Sequence, residues 1–514
     1  MLRNSVSYIK QKIKGYFKKM WYLSTRNQKI QKTPSQAVLQ GIADDGGLYM
    51  PKSFENARFP MEKLPLLNNK EISATVLSLL FSDDKMFNNN FNEALDAVSR
   101  AYDGKFENED FAPLSKVDNA YVMELYHGPT CAFKDVALQL LPQLVACAKK
   151  ATDMKDEIVI LTATSGDTGS AALSGFSDVD GVKIIVFYPK KGISAVQERQ
   201  MVSVNGKNTC VVSVNGNFDD AQSGVKNIFA TLELREGVKL SSANSINIGR
   251  LAPQVAYYFK AYRDLLANNA IKMGDKVNFI VPTGNFGDIL AGYFAKQMGL
   301  PVGQLVCASN ENKVLTDFFE NGVYNKNREF HVTKSPSMDI LISSNLERLL
   351  YLTCGAEKCA SYMAELKEKG EYKLSKDELD KIRSEFDAGF TDDNETLKTI
   401  KNVYENHGYL MDTHTAVAWS VYEKWAKETG NTDVSVVLST ASPYKFSSSV
   451  MNALGKDYDD EFDALNKLNA YTGAKIPASL VDIENKPIVH NITVEKEDML
   501  SFVGSMVAKK VWRD

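Results

Sequence analysis

From Asn119 onward, short β-branched runs alternate with amphipathic helical stretches, and this alternation limits the possible folds of the chain more than any other feature. Residues 157–163, 182–188, 209–214, 276–281 and 434–438 read as strands. Short β-branched runs alternating with amphipathic helical text indicate parallel strands joined by covering helices. In open α/β sheets ligands bind beyond the carboxyl ends of the strands. The residues just after each run are therefore where chemistry is expected.

Other stretches divide the chain. Residues 20–112 are mostly helical and polar, with one turn-rich patch in which Gly46 and Gly47 supply positive φ, and they read as an N-terminal domain. Residues 1–19 are rich in lysine, contain no acid and carry Ile9, Ile13 and Phe17 at helical spacing. They lack a secretory apolar core and a small-residue cleavage site, so a basic extension or surface helix is the expectation rather than a targeting helix. Residues 113–514 form the expected catalytic region of two α/β units, interrupted at about 315–408 by charged helical text that reads as a helical insertion with a solvated surface. The segment after Met451 reads as helical and loop-rich.

Charge and cysteine usage exclude several function classes. Lys+Arg of 60 against Asp+Glu of 64 gives a net charge of -4, which favours neither nucleic acid nor an anionic membrane. No stretch approaches the ~18 uninterrupted apolar residues of a membrane-spanning helix. Six cysteines are scattered without paired spacing, and His127, His331, His407, His414 and His490 show no metal-ligand pattern. A soluble, cytoplasmic protein with a small-molecule partner and no metal is the expectation.

Four constellations carry chemistry. The run 127–135, His-Gly-Pro-Thr-Cys-Ala-Phe-Lys-Asp, places Lys134 in the first turn of a helix. There the helix dipole and burial beside Phe133 both disfavour the ammonium form, and a neutral amine is the nucleophile that a Schiff base needs. Taken alone, the same text also fits a solvated surface lysine. The run 164–169, Thr-Ser-Gly-Asp-Thr-Gly, follows a strand and opens a helix. Its hydroxyls and free N–H groups suit a carboxylate or phosphate, or form an ordinary capped βα turn. The run 282–288, Pro-Thr-Gly-Asn-Phe-Gly-Asp, exposes backbone N–H groups at a helix start as a nest for a phosphate. It is neither a dinucleotide fingerprint nor a Walker loop. Finally, Ser439 and Thr440 place hydroxyls directly beyond a buried strand.

Together these runs resemble the threonine synthases, and residues 310–319 and 335–348 are similar to segments typical of that family. The resemblance extends from about Trp21 into the C-terminal region. It implies an α/β core of the pyridoxal-phosphate (PLP) fold type II, the tryptophan-synthase-β-like fold, with two parallel-sheet units, a mostly helical N-terminal domain and a helical insertion. It implies that Lys134 carries PLP as an imine, that Gly284, Asn285, Phe286, Gly287 and Asp288 hold its phosphate, and that Thr440 faces the ring nitrogen. Ser165, Asp167 and Thr168 would lie beside the cofactor and the substrate carboxylate. Arg250 would meet the substrate phosphate, although a structural ion pair is an equal reading of that residue.

The implied reaction turns O-phospho-L-homoserine and water into L-threonine and phosphate, performed by a monomer or weak homodimer. Two positions depart from the family pattern: Ser442 stands where His is frequent, and Thr413 where Pro is common. Neither removes an expected cofactor contact. The rival readings are a phospholyase that releases 2-oxobutyrate and a non-catalytic homologue, which retention of Lys134 and the nest disfavours.

Overall fold

The computed structural model describes residues 20–82, 84–87, 90–107, 110–509 and 512. The basic extension 1–19 lies outside the described residues. Two sheets organise the rest. The larger has six strands in the order Phe386–Phe390, Val302–Ser309, Val277–Pro282, Ser435–Ser439, Ala120–Glu124 and Leu114–Val117. It is parallel except for its last pair, which is antiparallel. The smaller sheet runs Ile492–Glu495, Thr209–Asn215, Val182–Pro189, Glu157–Ala163 and Val238–Ser242, all parallel. The five strands expected from the sequence are all present, within one or two residues at their ends.

Two expectations need correction. The stretch 315–408 is not wholly a helical insertion, because Phe386–Phe390 closes one edge of the larger sheet beside Val302–Ser309. The C-terminal segment likewise contributes Ile492–Glu495 to an edge of the smaller sheet. Both are edge strands with partly exposed side chains, so they keep polar residues and lack the apolar signal that marks interior strands. The N-terminal domain is mostly helical, as expected, and also holds a three-stranded antiparallel sheet built on Tyr22–Ser24. Among the described residues no helix is long and apolar enough to cross a membrane.

The helices that open the site are packed tightly. Lys134–Ala151 buries Val136, Leu140, Leu141 and Leu144, and Asp167–Phe176 lies against it. At the crossing, a Cβ on Gly175 would overlap the carbonyl of Leu138, so only glycine allows the two backbones this approach. The spacing of these helices sets the distance between Lys134 and Asp167. Gly175→Ala is therefore expected to cost about 1–3 kcal/mol through overpacking against a backbone atom that cannot swing aside. Urea unfolding of the two proteins would check this, and an unchanged midpoint would show that the helices are not clamped there.

Candidate active site

The chain leaves Ala120–Glu124 at its carboxyl end and turns through 125–133 into the helix that begins at Lys134. The turn is held from two sides. Asp135 accepts from the Thr130 N–H at 2.8 Å and hydroxyl at 2.7 Å, which supports the left-handed backbone of Cys131, φ 60°. Across the sheet, the N–H of Phe133 donates to the Thr440 carbonyl at 2.9 Å, and that of Ser442 to the Cys131 carbonyl at 3.0 Å. The lysine loop and the strand-end loop of Thr440 are thus zipped together.

Lys134 is buried, and its Nζ donates to Asp167 Oδ2 at 3.0 Å. Burial lowers its pKa, Asp167 opposes the shift, and Arg250 and Lys445 add to it. Asp167 opens the helix Asp167–Phe176 and spends both its oxygens. Oδ2 also accepts from Ser337 Oγ at 3.1 Å, while Oδ1 takes Lys445 Nζ at 2.7 Å and Gln197 Nε2 at 2.9 Å. Burial alone would raise its pKa, but Lys134 and Lys445 outweigh that and hold it well below the usual carboxylate range.

The turn read from the sequence as a phosphate nest follows Val277–Pro282. Phe286 adopts the left-handed conformation, φ 61°, immediately before the helix Gly287–Gln297. Its ring leaves the cleft and packs 5.7 Å from Phe386 and 6.0 Å from Phe319, so Phe286 contributes its backbone rather than its side chain. The first N–H groups of a helix have no intrahelical acceptor, and here they open toward the cleft floor. A Cβ on Gly284 would lie 2.7 Å from the Ser337 carbonyl, so that cradle closes only around glycine. The Asn285 carbonyl accepts from Asn345 N–H at 3.1 Å and Nδ2 at 2.9 Å, which holds the loop from outside.

Asp288 points inward rather than capping the helix. Its Oδ1 accepts from the hydroxyls of Tyr257 and of Tyr258, the latter at 3.0 Å, and Oδ2 is buried without a partner. Burial raises its pKa to about 6, against the pull of the two tyrosines.

Arg250 is buried and donates to the Ala243 carbonyl at 2.9 Å and to Thr168 Oγ1 at 3.5 Å. No carboxylate lies within ion-pair distance of it among the described residues, so the ion-pair reading of this residue is not realised. Burial lowers its pKa to about 10.

All eleven residues expected at the site line one cleft. Sequence reasoning missed Lys445, Ser337 and His414, which share it or hold its walls. His414 Nε2 accepts from the Ser337 N–H at 3.2 Å, which puts the ring proton on Nδ1, 2.6 Å from Asp412. Lys445 follows Thr440 by five residues, but nothing in its local text distinguishes a buried lysine from a solvated one. Asn244 also lines the cleft, with its Oδ1 buried and unpartnered. Thr413 occupies the first turn of the helix Thr413–Thr429, behind the Asp412 cap, a position that accepts proline equally well.

A buried amine with a lowered pKa, a helix-start nest cradled against Ser337 and an unpaired guanidinium make a site that fits an aldehyde bearing a phosphomonoester. Fold and site together define a PLP-dependent enzyme of the α/β class. The family model for pyridoxal-phosphate dependent enzymes matches residues 109–441, and models for the threonine synthase N terminus and C-terminal region match 21–102 and 415–500. A threonine synthase of Schizosaccharomyces pombe is 38% identical over 475 residues, covering 86% of this chain and 91% of its own length. The PLP-bound threonine synthase structure from Brucella melitensis superposes with a TM-score of 0.83 at 38% identity, over 95% of this chain and 98% of that one. The yeast threonine synthase structure gives 0.84 at 32%, with the same coverage of both chains. The chain belongs to the threonine synthase family.

Asp288 makes the site sensitive to pH. A carboxyl whose folded pKa is raised binds a proton in the fold that the unfolded chain has already lost, so stability falls as pH rises from about 4 to about 6. Asp288→Asn should remove this contribution and leave that of Asp135, which burial raises in the same way. Relative to the variant, the cofactor-free wild type is expected to lose up to about 3 kcal/mol of unfolding free energy across that window. Parallel pH profiles that never diverge would show that Asp288 is ionised at no cost.

Proposed function

We propose that this protein converts O-phospho-L-homoserine and water to L-threonine and phosphate. The observation that carries the substrate assignment is Arg250, a buried guanidinium without a carboxylate, in the cleft that holds Lys134. A phosphate satisfies its planar fork and its charge together.

Bound PLP supplies the electron sink that lets bonds at the α- and β-carbons of an amino acid break heterolytically. The protein supplies positions and protons. Gly284, Asn285, Phe286 and Gly287 offer backbone N–H groups to the cofactor phosphate, with Asp288 bracing that turn through its tyrosines. Thr440 presents a hydroxyl to the ring nitrogen; being uncharged, it does not fix a proton there. Arg250 and the Thr168 hydroxyl take the substrate phosphate. Ser165 and the helix start beside it take the substrate carboxylate. Asp167 is assigned to Lys134 instead, since two anions in a buried site would repel. Lys134, whose ammonium form burial disfavours, takes a proton first from the α-carbon and then from the β-carbon as phosphate leaves the γ-carbon. Protons return to the γ- and α-carbons, and water adds its hydroxyl at the β-carbon while its remaining proton goes to the released phosphate. The same reading makes this a cytoplasmic enzyme, monomeric or weakly dimeric, in keeping with its six free cysteines.

Borohydride reduction of the PLP-loaded protein followed by peptide mapping is expected to mark Lys134, and a label on another lysine would overturn the assignment. Incubation with O-phosphohomoserine should yield threonine and phosphate in equal amounts; 2-oxobutyrate and ammonia as main products would make the protein a phospholyase instead. Arg250→Ala should reduce kcat/KM for O-phosphohomoserine by roughly a hundredfold or more, the scale of a lost charge-assisted pair, with the spectrum of the bound cofactor retained. An unchanged kcat/KM would move the substrate phosphate elsewhere.

A further inference from the structure

Lys445 has no part in the assignments above, yet it is fully buried beside the reacting amine. It donates to Asp167 Oδ1 at 2.7 Å and to the Thr130 carbonyl at 2.9 Å. Lys134 and Ser337 occupy the other oxygen of the same carboxylate. One buried anion thus serves two amines, one on each oxygen.

A lone carboxylate at this distance would work against catalysis. An opposite charge within about 4–6 Å raises a lysine pKa by about one to three units, which would hold Lys134 as an ammonium unable to attack or to accept a proton. A second cation on the carboxylate reduces that pull and repels a proton on Lys134. It also solves the converse problem. Whenever Lys134 gives up its charge, Asp167 keeps a partner and is not stranded as an uncompensated buried ion.

We propose that Lys445 is a positioning residue that neutralises Asp167, so that the carboxylate holds Lys134 in place without fixing a proton on it. This rests on Lys134 being the reacting amine. The other charged groups around the pair are Arg250, which acts on Lys134 in the same sense as Lys445, Asp135, which feels Lys445 across Thr130, the more distant Asp288, and His414, which faces Asp167 through Ser337. None of these touches Asp167 with a cation as Lys445 does.

The test is the pH dependence of Lys134 modification by formaldehyde and cyanoborohydride in the cofactor-free full-length protein, read by peptide mapping. Lys445→Gln keeps a donor for the Thr130 carbonyl and removes the charge; the midpoint for Lys134 should move up by about one unit or more. Lys445→Arg should leave it within a few tenths. Asp167→Asn should move it down, because Lys445 then acts unopposed. A role confined to packing would lower the melting temperature of Lys445→Gln and leave the midpoint in place, and that result overturns the proposal, as does an upward shift in Asp167→Asn. Lys445→Met is the second charge-free variant, and either one that folds decides the matter. Failure of wild-type protein to take PLP on Lys134 would instead sink the assignment of Lys134, a result read separately from these midpoints.

Discussion

Asp167 is the buried charge around which the cleft is organised. Its four partners, Lys134, Gln197, Ser337 and Lys445, come from segments far apart in the chain, and they leave neither oxygen free. A carboxylate in such a place is tolerable only when ionic and hydrogen-bonding partners compensate its lost hydration. The same requirement that satisfies Asp167 therefore draws the lysine loop of the larger sheet, the helix start of the smaller sheet and the loop after Thr440 to one point. The carboxylate sits at the first position of its helix, where the dipole also favours a negative charge.

The turn at 284–288 depends on a second convergence. Its backbone N–H groups can face a ligand only if the left-handed turn at Phe286 is held, and the ring of Phe286 does this by packing against Phe319 and Phe386. Both rings lie in the stretch read from sequence as an insertion. Ser343 and Asn345 of that stretch bond the loop, Ser343 Oγ donating to the Gly284 carbonyl at 2.8 Å and Asn345 Nδ2 to that of Asn285 at 2.9 Å. From beyond it, the fully buried Arg348 donates to the carbonyls of Tyr49 and Ile246 and so ties the N-terminal sheet to the segment that carries Arg250. The segment 315–408 therefore builds a wall of the site as well as a charged outer surface.

These two convergences separate the jobs of three acidic groups. Asp135 braces the backbone before Lys134, Asp167 sets the charge around the amine, and Asp288 sits against two tyrosines under the phosphate turn. Only Asp167 has cationic partners, and only its pKa is driven down; burial raises the other two to about 6. One cleft thus holds a carboxylate driven toward its ionised form beside Lys134 and another, beneath the turn at 284–288, driven toward its protonated form.

The sequence by itself determined five of the seven interior strands, because a strand buried on both faces is rich in β-branched and apolar residues, as 157–163 and 276–281 are, while the interior strands Ala120–Glu124 and Val302–Ser309 were not read from it. It also marked turns in which glycines and hydroxyls cluster between a strand and a helix, and Lys134, Gly284–Asp288 and Thr440, singled out in such turns, line one cleft. The edge strands Phe386–Phe390 and Ile492–Glu495 were not, because an edge keeps a wet face and the alternation that this permits is weak over four or five residues. Only the tertiary structure decided that Lys445 and Ser337 meet Asp167, that the Phe286 ring turns away from the cleft and that Arg250 lacks a carboxylate. Each is a matter of which distant groups compensate a buried charge or fill a cavity, and local sequence carries no record of a partner some thirty to nearly three hundred residues away.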